Sequence, residues 1–377
     1  MMLDSKEKYG APWLQALWES IDLDSCPNAI LLHGQSGIGK FAFALELAKS
    51  LLCESTHKDS RPCKQCEACH WFATGNHPDF IALVPETHRG QLPHADYETD
   101  ESPNKSKAIR DDSDGEGSEK KEKKNISIEE TRNAIESLSI GTHRGGNRVI
   151  LIYPLEMLRS DSANTLLKSL EEPPENTIFI LLADRLDRVL PTIRSRCRLL
   201  TAPRPERDQG LAWLRSELPK IKGLKIDDAE LETVFDEQGG APFLALDALI
   251  ARNHQDEKDS LTISVQASRY LLQSMTQGIR INWLEAAEKT HKAQYGYLLA
   301  AMQRWTSDLQ AVAQGGNPRY YPRHLSTLKG LSQSAKLTKL HQFWKSLIQA
   351  RRHENHPLAN RVQLEALLSQ YQQVFEP

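Results

Sequence analysis

Between Ala29 and Leu52 the chain reads strand, glycine-rich turn and helix, and that order constrains its fold more than any other feature of its 377 residues. Ala29-Ile30-Leu31-Leu32-His33 is a short apolar run of the kind a parallel sheet buries on both faces. A turn from Gly34 to Gly39 follows. From Lys40 to Leu52, the residues Phe41, Ala44, Leu45, Ala48 and Leu51 recur at helical spacing. The turn and Lys40 spell G-x-x-x-x-G-K. Backbone N–H groups of such a loop cradle phosphate at a helix N-terminus, and the lysine neutralises its charge. Gly34, Gly37, Gly39 and Lys40 are therefore the candidate phosphate-binding residues.

The alternation continues downstream. Phe80-Ile81-Ala82-Leu83-Val84 reads as a second strand, Ile128 to Ile140 as an amphipathic helix, and Arg148-Val149-Ile150-Leu151-Ile152 as another buried strand. Ser160 suits the N-cap of a helix running to Glu172, which Pro173-Pro174 must end. One more strand follows at Ile178 to Ala183. Strands alternating with helices predict a parallel, doubly wound sheet. Beyond Pro203 the strand pattern stops, leaving a small helical unit at 206–250 and a larger one at 260–377, with a loop at Gly315-Gly316-Asn317-Pro318. The expected domains are 1–203, 204–255 and 256–377. Residues 86–125 differ in kind: Asp111, Asp112, Asp114, Glu116 and Glu119 run into Lys120, Lys121, Glu122, Lys123 and Lys124 with almost no large apolar side chain. Such a segment buries too little surface to offset its ordering entropy, so it reads as a disordered insertion.

Charge and hydropathy weigh against two broad classes. With 47 Lys+Arg against 50 Asp+Glu the net charge is −3, so no global basic field supports autonomous binding to nucleic acid. The run Val149 to Tyr153 is strand-sized, far from the roughly 18 apolar residues of a membrane span. Met1 to Lys8 lacks the apolar core of a secretory signal, and a cytoplasmic location is expected.

Four of the six cysteines cluster as Cys53-x9-Cys63-x2-Cys66-x2-Cys69. In a long chain without a leader such clustering points to a metal before disulfides. Four thiolates complete a tetrahedral Zn²⁺ shell. The competing chemistry is an iron–sulfur cluster, whose run wants a further cysteine followed by proline where this chain has Ala73. Unmetallated thiols are the third reading. His57, His70 and His77 read as surface histidines, although each is a possible substitute ligand. Cys26 and Cys197 stand alone, and Cys197 suits a small core position.

The phosphate loop lacks its catalytic complement. Phe41 stands where a working loop needs Ser or Thr on Mg²⁺, and Tyr153-Pro154 stands where an Asp-Glu pair should follow the strand. Glu156 is either an exposed charge or a displaced acid. Without both Mg²⁺ positions and the water-activating carboxylate, phosphoryl transfer has no electrostatic basis.

Asn164-Thr165-Leu166-Leu167-Lys168-Ser169-Leu170-Glu171-Glu172-Pro173-Pro174, followed by Thr192-Ile193-Arg194-Ser195-Arg196-Cys197, resembles the clamp-loader branch of the AAA+ ATPases. The resemblance covers about residues 10–375 apart from the insertion, and Pro357-Leu358-Ala359-Asn360 before Leu364, Leu367 and Leu368 is similar to the last collar helices. It implies an α/β fold: a P-loop AAA+ domain with an inserted zinc module, a small helical lid domain and an all-α C-terminal collar domain. It also implies Arg196 as an arginine finger acting in trans, against the plainer reading of a structural salt bridge; Arg194 and Arg198 are its neighbours. The motor subunits of this family, gamma and tau, keep Lys-Ser/Thr and Asp-Glu, whereas a non-hydrolysing type keeps the fold and Ser-Arg-Cys without them. This chain matches the second pattern. The family's nucleotide-sensing Thr or Asn aligns with Asp184, and the sensing arginine of its helical domain falls near Phe243 in Gly239-Gly240-Ala241-Pro242-Phe243.

The implied cofactor is structural Zn²⁺ on Cys53, Cys63, Cys66 and Cys69. ATP is not expected at this chain's loop, although phosphate binding through Lys40 stays open because the backbone donors do not depend on Phe41. The implied partners are the gamma/tau ATPase and delta subunits, and through the complex the sliding clamp and primer-template DNA within a replicative polymerase holoenzyme at the nucleoid. Two other functions stay in play: an active P-loop ATPase of the gamma/tau type, and a zinc-dependent DNA-binding adaptor.

Overall fold

The apolar run at Ala29–His33 becomes an inner strand, β1, hydrogen-bonded to parallel partners on both sides. The computed structural model describes residues 11–57, 60–93, 126, 128–139, 141–158, 160–221, 223–224, 226–253, 259–352 and 360–376. Its contacts divide the chain into two compact units, Met1–Arg204 and Pro205–Pro377.

In the first unit α1 (Gln15–Glu19) precedes β1, and α2 (Lys40–Leu52) and α3 (Glu67–Ala73) follow it. Then come β2 (Phe80–Leu83), α4 (Glu86–Arg89), α5 (Ile128–Glu136), β3 (Arg148–Ile152), α6 (Ser160–Glu171), β4 (Thr177–Ala183), α7 (Pro191–Arg194) and β5 (Arg198–Thr201). The sheet order is β2-β3-β4-β1-β5, every pair parallel. β3 and β4 are buried along their whole length, as continuous apolar runs require. On one face Leu31, Ile150, Ile152, Phe179 and Leu181 share a core with Ala134 of α5 and Leu166 and Leu170 of α6. Successive strand residues point to opposite faces, so Ile30, Leu32, Val149, Leu151 and Ile180 serve the other side. There α2 packs on β3 and β4. The doubly wound parallel sheet expected from the alternation is present.

Four details differ from the sequence reading. β5 was not legible, because three of its four side chains are exposed and no apolar run marks it. The amphipathic helix ends at Glu136 in a 3-10 turn, Ser137–Ser139; the Ser137 hydroxyl donates to the Ala134 carbonyl at 2.6 Å, a local bond that competes with helix propagation. α6 begins at Ser160 itself rather than after it. Of the stretch expected to be disordered, Glu86–Arg89 is a helical turn, while 94–125 lie outside the described residues.

The second unit contains only helices among its described residues: α8 (Arg207–Glu217), α9 (Asp228–Glu237), α10 (Pro242–Asn253), α11 (Ser260–Met275), α12 (Trp283–Thr290), α13 (Tyr295–Ala313), α14 (Leu325–Ser334), α15 (Leu337–Arg352) and α16 (Asn360–Gln373). α10 packs against both α9 and α11, so the small and large helical sets share one compact unit. Leu364, Leu367 and Leu368 enter the core around Trp305, whereas Pro357 to Ala359 lie outside the described residues. The Trp305 indole donates to the Tyr371 hydroxyl at 2.9 Å, which donates to the Met275 carbonyl at 2.9 Å, so both buried polar atoms are satisfied. α13 ends at Ala313, and Gly315 at φ 84° opens the expected loop. No helix among the described residues is long and apolar enough to cross a membrane.

Candidate functional site

The glycine-rich turn is formed as a phosphate loop. Gly37 and Gly39 adopt φ 74° and 90°, and a Cβ on Gly34 would lie 3.0 Å from the Ala202 carbonyl oxygen. Trp13 pins the loop from outside, its indole donating to the Ile38 carbonyl at 2.9 Å. α2 starts at Lys40 with Gly39 as its N-cap, so the backbone donors of the cradle are in position.

Lys40 is already partnered. An ammonium carries three N–H donors. Those of Lys40 reach the carbonyls of Gly34 at 3.0 Å and Gln35 at 2.7 Å and the Asp184 carboxylate at 2.6 Å. The lysine side chain is 3% exposed and Asp184 20%. Strand order brings this pair together: Asp184 follows Ala183, which pairs with His33, the residue before the loop.

Phe41 and Tyr153, which stand where the motif expects groups that hold Mg²⁺, form an aromatic pair. The rings of Phe41 and Tyr153 lie 5.3 Å apart, and His88 meets the Tyr153 ring edge-on at 5.1 Å. The Tyr153 hydroxyl donates to Asp184 Oδ2 at 3.3 Å. Burial, with the Asp184 and Glu156 carboxylates nearby, holds Tyr153 well above the usual phenol range. Burial also pushes Glu156 up and His88 down. Glu156 is not the exposed charge of the plainer reading: its Oε2 is buried and accepts no hydrogen bond among the described residues. It is half-buried, and its Oε1 accepts the backbone N–H groups of Asp184 and Arg185, each at 3.0 Å. Phe243, near which the resemblance puts a sensing arginine, packs against Trp213 with ring centroids 4.4 Å apart.

The four clustered cysteines converge at the far end of α2. Cys53 is the C-cap of α2, Cys66 is the N-cap of α3, and Cys69 lies in its first turn. All four sulfurs lie within 4.8 Å of one another, and Cys53 and Cys66 are 3.9 Å apart. A tetrahedral Zn–S₄ shell with 2.3 Å bonds requires sulfurs about 3.8 Å apart. Backbone N–H groups of Cys63, Cys66 and Cys69 donate to Cys53, Cys63 and Cys66 sulfurs at 3.3–3.4 Å, bonds that favour the thiolate form. The backbone bonds from Gln65 and Cys66 hold the Cys63 thiol down to about 6, while burial pushes Cys53 and Cys69 up. This all-sulfur donor set fits a metal. His57 and His70 are exposed and outside the cluster, but His77 is buried rather than a surface residue. Its Nδ1 accepts the Asp79 N–H at 3.1 Å. Sequence reading also missed Arg144, which staples the module. Its guanidinium reaches Glu54 at 2.8 Å and Glu67 at 3.0 Å and lies 4.7 Å over the Trp71 ring.

Arg196 lies exposed between α7 and the edge strand β5. Its Nη1 donates to the Thr192 carbonyl at 2.8 Å, and its Nη2 is ion-paired with Glu171 at the end of α6. Arg194 and Arg198 are also exposed. Cys197 is half-buried against the sheet core, which pushes its thiol up to about 11.

Residues 11–206 match the model of a family described as DNA polymerase III, delta subunit. The chain is similar to DNA polymerase III subunit delta′ of Pseudomonas aeruginosa, at 32% identity over 236 residues, covering 62% of this chain and 60% of that protein. It is also similar to the subunit delta′ of Haemophilus influenzae, at 27% over 242 residues, covering 63% and 61%. The chain thus spans about three-fifths of the length of the curated relatives it matches. Among solved structures, a DNA polymerase III gamma subunit-related protein of Thermotoga maritima matches with TM-score 0.45 and 15% identity, covering 97% of this chain and 100% of that one.

Proposed function

The chain belongs to the family described as DNA polymerase III, delta subunit, and from that premise we propose that it is the delta-prime-type, non-hydrolysing subunit of a clamp loader. In this reading it assembles with gamma/tau-type ATPase and delta subunits and helps load the sliding clamp onto primed DNA. α8–α10 serve as a lid and α11–α16 as the collar that assembles with partners. Arg196 acts on ATP held by the adjacent ATPase subunit.

One contrast carries the reading: Lys40, the cation that would serve this chain's own nucleotide, is buried in internal bonds, whereas Arg196 is exposed at the sheet edge. A guanidinium aimed at a neighbour's γ-phosphate stabilises transition-state charge and contributes roughly 10³–10⁵ in rate at that site. Its present partners, Glu171 and a carbonyl, form a surface arrangement that contributes at most about 1 kcal/mol and yields readily to a phosphate. Zn²⁺, when bound by Cys53, Cys63, Cys66 and Cys69, would cross-link the end of α2 to α3 and leave no open position for chemistry.

The test is reconstitution with gamma/tau-type and delta subunits, comparing wild type with Arg196→Ala. The variant complex should assemble normally but lose clamp- and DNA-stimulated ATPase and clamp loading in part, because other interfaces keep their own arginines. Wild-type values for both activities in an assembled variant return Arg196 to a structural role. ATP turnover by the isolated chain that Lys40→Ala abolishes would favour the active-ATPase reading. Salt-dependent DNA affinity of the isolated chain would favour the DNA-binding adaptor.

A further inference from the structure

We propose that Asp184 is a built-in substitute for phosphate: its carboxylate occupies the anion position of the Gly34–Lys40 loop, and removing its charge uncovers a metal-independent site for a phosphate-bearing ligand. The inference deepens the reading of a subunit that does not turn over its own ATP, and rests on it. A lysine this deeply buried needs a partner of opposite charge, since an unpaired buried ammonium is costly. Two of its donors go to neutral loop carbonyls, so Asp184 is the group that balances its charge at 2.6 Å. A free phosphate would have to displace that carboxylate from Lys40, and would meet its negative charge at the mouth of the loop.

Everything else a phosphate needs is in place. The glycines hold their left-handed conformations, α2 begins at Lys40, and the positive character of the corner registers on His33, whose imidazolium is disfavoured by burial and by the charges of Arg194 and Lys40. The Phe41 and Tyr153 rings pack on each other at 5.3 Å, and the Tyr153 hydroxyl reaches the loop at the Ser36 side chain rather than at a backbone N–H. Asp184 itself is partly exposed, so the anion position opens to solvent once the carboxylate is neutralised. The ligand class is therefore a phosphate or pyrophosphate group bound without Mg²⁺.

The experiment titrates the full chain with inorganic pyrophosphate and with ATP in EDTA, by calorimetry. Wild type should give no saturable binding. Asp184→Asn keeps the size and hydrogen-bonding reach of the side chain and should give saturable pyrophosphate binding at least about 10-fold tighter than the detection limit set by wild type, the equivalent of one charge-assisted hydrogen bond regained. Lys40→Met in the same background should abolish the gain. Tyr153→Phe, which removes a bond to Asp184 but leaves the ion pair, should bind no better than wild type. A folded Asp184→Asn protein that binds nothing overturns the proposal, as does wild type that binds equally well. If neither Asp184→Asn nor Asp184→Ser folds, the pair is a structural requirement and the proposal also falls. Failure of the subunit assignment registers elsewhere, in the ATPase of the Arg196→Ala complex, which this titration does not touch.

Discussion

α2 carries a ligand-type motif at each end, and the two ends have opposite fates. At its N-terminus the phosphate loop is complete in backbone, yet the carboxylate of Asp184, just past the end of β4, already sits on Lys40, and the Phe41 and Tyr153 rings pack together beside it. At its C-terminus Cys53 joins three other thiols, and the groups that reach those sulfurs are backbone N–H donors, which favour thiolates without replacing a cation. One end has internal charge of the ligand's own sign; the other gathers four sulfur donors that no internal cation neutralises among the described residues. A motif supplies donors. Whether it is a binding site depends on what the rest of the fold delivers to them.

Metal removal should give the largest effect and tests the cysteine end directly. The purified chain should contain about one zinc, and stripping it should cost the module a binding energy on the order of 10 kcal/mol. Hydrogen exchange would then show α3 losing protection while α13 in the second unit keeps it. Iron with visible absorption, or no metal in protein prepared without chelators, breaks the comparison at that end.

The next effect belongs to the loop. Lys40→Met leaves Asp184 without its cation, and breaking a largely buried pair should lower the stability of the first unit by about 3 kcal/mol in a denaturant titration. Adding Asp184→Asn should recover part of that loss, because the remaining side chain is then uncharged. A Lys40→Met protein as stable as wild type would mean that the loop is not internally neutralised.

The smallest effect is a pH slope. Burial lowers the folded-state pKa of His88 below its ordinary 6.5. As pH falls below 6.5 the unfolded chain takes up a proton that the folded chain resists, so stability declines until the folded pKa is passed. His33 and His77 are shifted in the same direction. His88→Gln should therefore flatten one part of the decline in an acid titration of stability, and an unchanged slope would mean that the Tyr153 corner is more open to water than its packing implies.

Residues 29–52 announce a strand, a phosphate loop and a helix because each is encoded in neighbouring residues: an apolar run, glycines where left-handed backbone is needed, and apolar spacing of three and four. The cysteine spacing is legible for the same reason, and Phe41, Tyr153 and Pro154 declare the missing metal ligands by identity alone. β5 was illegible because an exposed edge strand lacks the apolar run that marks an inner one. His77 and Glu156 looked like surface groups because burial depends on what packs over them, and nothing adjacent in sequence records that. Asp184 lies 144 residues from Lys40, and its meeting with that lysine follows from β4 pairing with β1 in register. Local periodicity specifies which elements form. Strand order decides which charges they bring together, and that order is settled by packing across the whole sheet.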